Sequence, residues 1–276
     1  MPRGPRKFEI GGVYHIMNRG VDKRNIFLKN QDYSRFILGL EFFNSDKPIN
    51  IYDVVGKSPA IVGSDPTMAT MATMAGSTMA GNHALEDQAT ADPAMVGISI
   101  KERLTAERKK NKNKIVELLV FTLMSNHYHL IVREIVSGGI SFFMKKIGGY
   151  SNYFNKQYGR SGSLFESRYK LIKIEDDSQL ATVFVYAHTN PVEIIESMWK
   201  MQKVNNFGKA INFLNNYKWS SYKDYIGEAN FPFSVNNKDF FLKFFDQQGG
   251  CKKAVEDWIR FKAANKSGNI NFNIFE

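Results

Sequence analysis

The feature that most restricts the fold is a pair of adjacent β-prone segments in the middle of the chain. Residues 116–124 are almost continuously apolar, which is typical of a buried strand. Ser125-Asn126 is a turn signal, and residues 127–132 form a second β-prone run. A two-residue turn between two strands predicts an antiparallel hairpin.

The segments around this hairpin complete a recognisable order. Residues 12–19 are β-prone, and the residues after Asp32, its predicted N-cap, have helical periodicity. After the hairpin, the pattern predicts a helix from Gly139 to just before Gly159, a strand at 168–174 and a helix from about 177 to 190. The order is βαββαβ plus one helix. It predicts an α+β, ferredoxin-like fold, an antiparallel sheet with helices on one face.

A change in composition interrupts this pattern. No Lys or Arg occurs from Ser58 to Ile100, and Thr-Met-Ala recurs at 67–69, 70–72, 73–75 and 78–80. A short repeat without aromatic anchors indicates a low-complexity insertion, which we expect to be mobile or, since Met and Ala favour helices, partly helical. The predicted organisation is a core at 1–56 and 114–195, an insertion at 57–113, and a helical C-terminal extension at 196–276.

Charge and cysteine content narrow the classes of function. The chain of 276 residues has 37 Lys and Arg against 27 Asp and Glu, a net charge of +10, which favours a polyanionic partner. Its single cysteine excludes an internal disulfide or a CxxC zinc site. No signal peptide or membrane-length apolar run is evident, so we expect a cytoplasmic protein with no membrane partner.

Two histidines in the second hairpin strand are candidate metal ligands. His127 and His129 lie at i and i+2, so both imidazoles project from one sheet face. Such a pair suits a divalent ion, although two partly buried histidines without a ligand role give the same pattern. A metallohydrolase His-x-His-x-Asp-His motif is excluded, because Ile131 and Val132 occupy its last two positions.

Tyr186 and Asn190 form a second candidate pair, on the last predicted helix. They lie at i and i+4 and therefore share a helix face. The amide oxygen of Asn190 suits Mg²⁺ or Mn²⁺, and a nearby cation would favour the nucleophilic phenolate of Tyr186. Pro191 predicts that the helix ends or kinks at Asn190. Taken alone, a helical tyrosine that faces a sheet is more often a core residue than a nucleophile.

Together the two pairs resemble the single-tyrosine HUH transposases, and among them the REP-associated tyrosine transposases. The resemblance covers about residues 5–56 and 114–226. Its most specific part is His127-Tyr128-His129 with Tyr186 and Asn190-Pro191-Val192. Further matching segments are Gly12–Ile16 with Asn18-Arg19-Gly20, Tyr153-Phe154-Asn155, Gly159–Phe165, Arg168-Tyr169-Lys170 and Trp219-Ser220-Ser221-Tyr222.

The resemblance implies a metal-dependent single-strand DNA endonuclease and strand transferase that acts on hairpin or palindromic DNA. His127, His129 and Asn190 would hold Mg²⁺ or Mn²⁺, and Tyr186 would attack the scissile phosphate to form a 5′-phosphotyrosine. The enzyme would be a monomer if Tyr186 reaches the histidines of its own chain, and a homodimer if its helix is exchanged.

Basic residues are the predicted DNA contacts, and aromatic residues interleave with them as stacking platforms would. The candidates are Arg19, Lys23, Arg24, Lys145, Lys146, Arg160, Arg168 and Lys170. The alternative function is a non-catalytic binder of structured single-stranded nucleic acid, which would have no need for a metal pair phased with Tyr and Asn.

Other histidines and tyrosines compete for the same roles. Tyr128 should point to the face opposite the histidines, and Tyr150, Tyr153 and Tyr158 lie on the preceding helix. We expect His15 to be a strand residue rather than a ligand. We expect His188 to be structural, with DNA contact as the alternative.

Overall fold

The computed structural model describes residues 8–47, 51, 100–110, 113–201, 204–228, 230, 231, 235 and 237–264. Residues 57–99 of the predicted insertion, with its Thr-Met-Ala repeats, lie outside this set. None of the helices in the described ranges is long and apolar enough to cross a membrane.

A four-stranded antiparallel sheet forms the centre of the fold. Its strands are β1 (Val13–Arg19), β2 (Val116–Leu123), β3 (His127–Glu134) and β4 (Lys170–Lys173). Their order across the sheet is β2-β3-β1-β4. The predicted α+β class is therefore confirmed, and this strand order is consistent with the predicted ferredoxin-like fold.

The described helices fall into two compact units along the chain. Residues 29–114 form one unit, with α1 (Asn30–Phe42) and α2 (Ile100–Lys110), in which Arg108 pairs with buried Glu41 at 2.7 Å. Residues 1–28 and 115–276 form the other, which contains the sheet. The sheet unit has α3 (Gly139–Gly148), α4 (Tyr150–Gln157), α5 (Asp177–Thr189), α6 (Phe207–Asn216), α7 (Tyr222–Tyr225), α8 (Asp239–Asp246) and α9 (Gly250–Ala264).

Two details of the helix predictions are wrong. Asp32 is not the N-cap of α1: the helix begins two residues earlier, and the Asp32 carboxylate accepts a hydrogen bond from the Lys29 backbone N–H at 2.9 Å. The expected continuous helix after Gly139 is two helices, because the backbone turns at Gly148-Gly149 before α4 begins. Consecutive glycines weaken a helix, since they lose the most conformational freedom on folding.

Helix α5 is buried between the sheet and the C-terminal helices. Its N-cap is Asp176, whose side chain accepts a hydrogen bond from the Gln179 N–H at 2.7 Å. Val183 and Phe184 belong to one apolar cluster with Ile131 of β3. The C-terminal extension adds to this cluster the residues Tyr222, Tyr225, Phe241, Phe245, Val255 and Ile259. The extension is thus part of the core that holds α5.

The segment at 219–221 covers the outer edge of β2. The Leu123 N–H donates to the Trp219 carbonyl, and the Ser221 N–H donates to the Phe121 carbonyl, both at 2.9 Å. A strand edge left open presents unpaired backbone groups to other chains. This short segment satisfies those groups and brings the Ser221 hydroxyl against α5.

Gly139 marks a tight approach between α3 and the start of β2. A Cβ at this position would clash with the Ile115 carbonyl oxygen, whereas a Cβ at Gly148 would meet open space. We expect Gly139→Ala to destabilise the protein by about 1–3 kcal/mol. Gly148→Ala should be neutral or stabilising by up to about 1 kcal/mol, because Ala favours a helix. Urea denaturation measures both variants, and an equal effect at the two positions would contradict the close approach.

Candidate active site

The pairing of β1 with β3 places three histidines on one face of the sheet. Arg19 stands opposite His127, Met17 opposite His129, and His15 opposite Ile131. Directly paired residues project to the same face, as do residues two apart on a strand. His15, His127 and His129 therefore share a face, and each is at most 6% exposed.

Helix α5 covers this face and brings Tyr186 against the histidines. The Tyr186 ring lies 5.4 Å from the His129 ring and 6.3 Å from the His15 ring, close to perpendicular to both. Tyr186 is buried with 7% of its surface exposed. Tyr186 therefore lies against one motif histidine, His129, of its own chain.

Asn190 closes the site from the end of the same helix. It follows the last residue of α5, and its N–H donates to the Tyr186 carbonyl. It keeps helical angles (φ −52°, ψ −37°) although Pro191 follows, and the chain continues as a 3-10 helix, Asn190–Ile194. The predicted helix end at Asn190 is thus correct. The Asn190 Oδ1 lies 3.0 Å from His127 Nε2.

The two motif histidines differ in the partners of their remaining nitrogens. His127 Nδ1 lies 2.6 Å from the side-chain oxygen of Asn126, the second residue of the hairpin turn. His129 Nδ1 lies 3.0 Å from His15 Nε2. His129 Nε2 is buried and has no hydrogen-bond partner among the described residues. One nitrogen of the pair is thus left for a group that enters the site.

Burial keeps the inner histidines uncharged. It lowers the pKa of His15 to about 4. Burial also lowers the pKa of His129 well below its usual value, and the charges of His127, His15 and Arg19 lower it further. Neutral imidazoles offer lone pairs, which is the form that binds metal ions.

The other tyrosines considered as nucleophiles make contacts typical of structural residues. The Tyr150 hydroxyl donates to the Ile26 carbonyl at 2.6 Å. Tyr128 alternates with the histidines on β3, so it projects from the other face, where its ring contacts Phe165. Among the tyrosines considered from the sequence, Tyr186 is the one whose ring contacts His129.

His188 belongs to the core. It is fully buried, its Nε2 lies 2.9 Å from the Ser221 hydroxyl, and its ring packs against Phe184 at 4.4 Å. Its predicted structural role is therefore supported by burial on all sides, which leaves no surface for DNA. Its contact links the end of α5 to the segment that covers the edge of β2.

The basic residues predicted to bind DNA are placed at different distances from this site. Arg19 pairs with His127 across the sheet, and exposed Lys170 pairs with Met17 in the same row as His129. Lys23 lies in the loop that is fastened to the hairpin turn, because the Asn126 side chain donates to its carbonyl. The structure therefore groups these three around the histidine face.

The other predicted contacts lie elsewhere in the sheet unit. Arg24 folds back onto its own loop and pairs with Asp22 at 3.3 Å. Lys146 stacks over the Phe142 ring, and Arg160 over the Phe154 ring. Lys145 is exposed near the end of α3, and Arg168 is exposed before β4. No contact joins these five side chains to the histidines in the described part of the chain.

Comparison with known proteins gives one match. A family model described as "Transposase IS200 like" matches residues 96–190, a range that includes both histidines, Tyr186 and Asn190. This match confirms the resemblance to transposases. The REP-associated subtype stays a prediction. Neither curated proteins nor solved structures returned a match.

Two contacts around the site were not expected from the sequence. His15 lies in a strand, as expected, and its ring also contacts both His129 and Tyr186. Ser221 was part of a matching motif without an assigned role, and it bonds to His188. The pairing register of β1 with β3 is the feature from which the contact between His15 and His129 could have been predicted. No local pattern indicated the contact of Ser221.

Buried neutral histidines predict a loss of stability in acid. Burial lowers the pKa of His188 to about 3, whereas an unfolded histidine has a pKa of about 6.5. Between these values the unfolded chain binds protons that the folded chain does not, so stability falls as pH falls. We expect His188→Gln to reduce this slope by up to about 1.4 kcal/mol per pH unit.

Urea denaturation in EDTA from pH 8 to pH 4.5 measures this slope. Ser221→Ala is the matched control, because it removes the hydrogen bond to His188 without removing the titrating group. It should lower stability by about the same amount at every pH. Parallel pH curves for wild type and His188→Gln would contradict the prediction.

Proposed function

We propose that this chain, which matches the IS200-like transposase family over residues 96–190, is a metal-dependent single-strand DNA endonuclease and strand transferase with a tyrosine nucleophile. One observation carries the proposal: a single helix brings a phenol and an amide oxygen against two strand imidazoles. The Tyr186 ring lies 5.4 Å from the His129 ring, and Asn190 Oδ1 lies 3.0 Å from His127 Nε2.

The chemistry of the donor set fits a divalent ion. Among the described residues, no group of three or more His, Cys, Asp and Glu side chains could hold a metal, so the candidate set is two imidazoles and one amide. His127 faces an oxygen acceptor on each nitrogen, Asn126 Oδ1 and Asn190 Oδ1, but a neutral imidazole has only one N–H. A cation beside Nε2 would satisfy the second oxygen.

A further feature supports the same set of ligands. His129 Nε2 is buried without a partner in the described part of the chain, which is costly unless another group binds it. We therefore propose His127, His129 and Asn190 as ligands of Mg²⁺ or Mn²⁺. When bound, this ion supplies Lewis-acid polarisation of the scissile phosphate.

Tyr186 would be the nucleophile. Its phenol gives up a proton, its oxygen forms a bond to the phosphorus, the bond from phosphorus to the 3′ oxygen breaks, and the departing 3′ oxygen takes up a proton, so that the step is balanced. The products are a 5′-phosphotyrosine on the protein and a free 3′-OH on the DNA. One phosphodiester replaces another, so the step is close to isoenergetic, and a later 3′-OH can reverse it or transfer the strand.

The arrangement supports catalysis within one protomer. His127, His129, Tyr186 and Asn190 come from the same chain, so the proposed reaction needs no exchange of α5 between subunits. Hairpin DNA would approach along the positive groups around the histidine face, namely Arg19, Lys23 and Lys170. The remaining basic candidates would contact the DNA farther from the cleaved bond.

The metal ligands can be tested by substitution. His127→Ala and His129→Ala should abolish cleavage of a hairpin substrate and leave hairpin binding within a few-fold of wild type, because phosphate contacts by Lys and Arg supply most of the affinity. Gel-shift and cleavage assays measure the two properties separately. Tyr128→Phe, between the histidines on the opposite face, is the control. Full cleavage by either alanine variant, or in excess EDTA, would exclude the metal site.

The nucleophile can be tested by removal of one oxygen. Tyr186→Phe keeps the buried ring and should eliminate the covalent protein–DNA product while hairpin binding and its salt dependence persist. Asn190→Ala should weaken metal binding and recover part of its activity at higher Mn²⁺, because a ligand is lost but the nucleophile remains. The readout is adduct formation on a hairpin with a 5′ single-stranded flank, with mass spectrometry of the linked peptide.

Tyr153→Phe is the matched control for this test, since it removes a hydroxyl from a half-buried tyrosine of α4. An adduct that persists in Tyr186→Phe would reassign the nucleophile to another tyrosine. Hairpin binding by wild type without any adduct or cleavage would favour the alternative function, a non-catalytic binder of structured single-stranded nucleic acid.

A further inference from the structure

His15 occupies a diagonal position beside the proposed ligand His129. In the β1–β3 register, Met17 stands opposite His129, and His15 stands two residues farther along β1. Diagonal neighbours on one face lie within reach of long side chains. The two rings are nearly parallel, at 14°, with their centroids 5.2 Å apart.

The contact between these rings is an edge-to-edge hydrogen bond. His15 Nε2 and His129 Nδ1 are 3.0 Å apart, and both residues are 1% exposed. A bond between two ring nitrogens needs one N–H and one lone pair, so the two tautomers are not independent. The position of the shared proton decides which nitrogen of His129 can bind an ion.

Two arrangements of the proton are possible. If His15 donates from Nε2, His129 must carry its own proton on Nε2, which is buried with no acceptor among the described residues. If His129 donates from Nδ1, its Nε2 has a free lone pair directed away from His15. Only the second arrangement permits His129 to bind a cation through Nε2.

We propose that His15 is a positioning residue that accepts a hydrogen bond from His129 Nδ1 and thereby holds the Nε2 lone pair of His129 toward the proposed metal site. This inference rests on the proposed function, because the ligand role of His129 is what selects this arrangement of the proton. The hydrogen bond assigns the proton of His15 to Nδ1. His15 also packs edge-on against Tyr186 at 6.3 Å, so the same ring contacts both the ligand and the proposed nucleophile.

His127 has a corresponding partner in Asn126, at 2.6 Å from its Nδ1. Each motif histidine thus has its Nδ1 engaged by a neighbouring side chain, and its Nε2 faces the site, where that of His127 lies 3.0 Å from Asn190 Oδ1. The partners differ in kind: Asn126 belongs to the hairpin turn, whereas His15 reaches across from β1. A ligand orientation that depends on a cross-strand partner requires the β1–β3 register to be correct.

The first test is the tautomer of His129 in metal-free wild-type protein. Long-range ¹H–¹⁵N NMR of the imidazoles distinguishes a protonated nitrogen from one with a lone pair. We expect the proton on Nδ1 and the lone pair on Nε2. A proton on Nε2 of His129 in the folded protein would overturn the proposal, and this measurement needs no variant to fold.

The second test is Mn²⁺ affinity, measured by calorimetry on the full chain. His15→Phe keeps a buried ring but removes the acceptor, and should lower Mn²⁺ affinity about ten- to hundredfold. His15→Gln places an oxygen near the position of Nε2 and should restore affinity to within a few-fold of wild type. Tyr128→Phe, on the opposite face of β3, should leave affinity unchanged. Thermal melts confirm that each variant is folded.

Unchanged Mn²⁺ affinity in folded His15→Phe would overturn the positioning role. Equal losses in His15→Phe and His15→Gln would also overturn it, because they would indicate a packing effect rather than a hydrogen bond. The proposed function fails separately, if wild type binds Mn²⁺ but neither cleaves hairpin DNA nor forms an adduct. That result would leave the tautomer and the affinity comparison intact.

Discussion

The burial of helix α5 is the constraint on which the candidate site depends. Every residue from Val183 to Asn190 is buried, although four of them carry polar side chains. A helix buried on all sides cannot rotate without exposing apolar surface or breaking internal hydrogen bonds. The rotation of α5 is therefore fixed, and with it the directions in which Tyr186 and Asn190 project.

The polar groups of α5 fix its rotation and its end. The Thr189 hydroxyl donates back to the Val185 carbonyl at 2.7 Å, and His188 bonds to Ser221. Asn190 contacts His127 across the site. Buried polar contacts of this kind contribute little net stability each, but their loss is costly, so they select one arrangement among similar apolar packings. The C-terminal extension thus acts on the site indirectly, through Ser221 and the aromatic cluster around Phe184.

Two kinds of secondary structure position the side chains of the site. The histidines are held by a sheet, in which register sets their neighbours, and Tyr186 and Asn190 are held by a helix, in which i, i+4 spacing sets theirs. Groups on rigid elements are positioned more accurately than groups on loops. The proposed role of His15 extends this arrangement, because it makes the orientation of one ligand depend on the pairing of β1 with β3.

The sequence by itself determined the elements and the identity of the chemical groups. Alternation and turn signals predicted four strands and the helix that ends at Asn190, and the spacing of His127 with His129 predicted a shared face, because strand and helix periods are local properties of the chain. Local patterns also gave two wrong predictions. Asp32 was predicted to be the N-cap of α1, and the break between α3 and α4 at Gly148-Gly149 was not predicted. Only the tertiary structure decided which groups meet. Cross-strand register placed His15 beside His129, and packing set Tyr186 against both rings. Packing also placed His188 in hydrogen-bond contact with Ser221. Those contacts join residues far apart in the chain. Their partners are determined by burial and hydrogen bonding across the whole fold, and no local pattern specifies them.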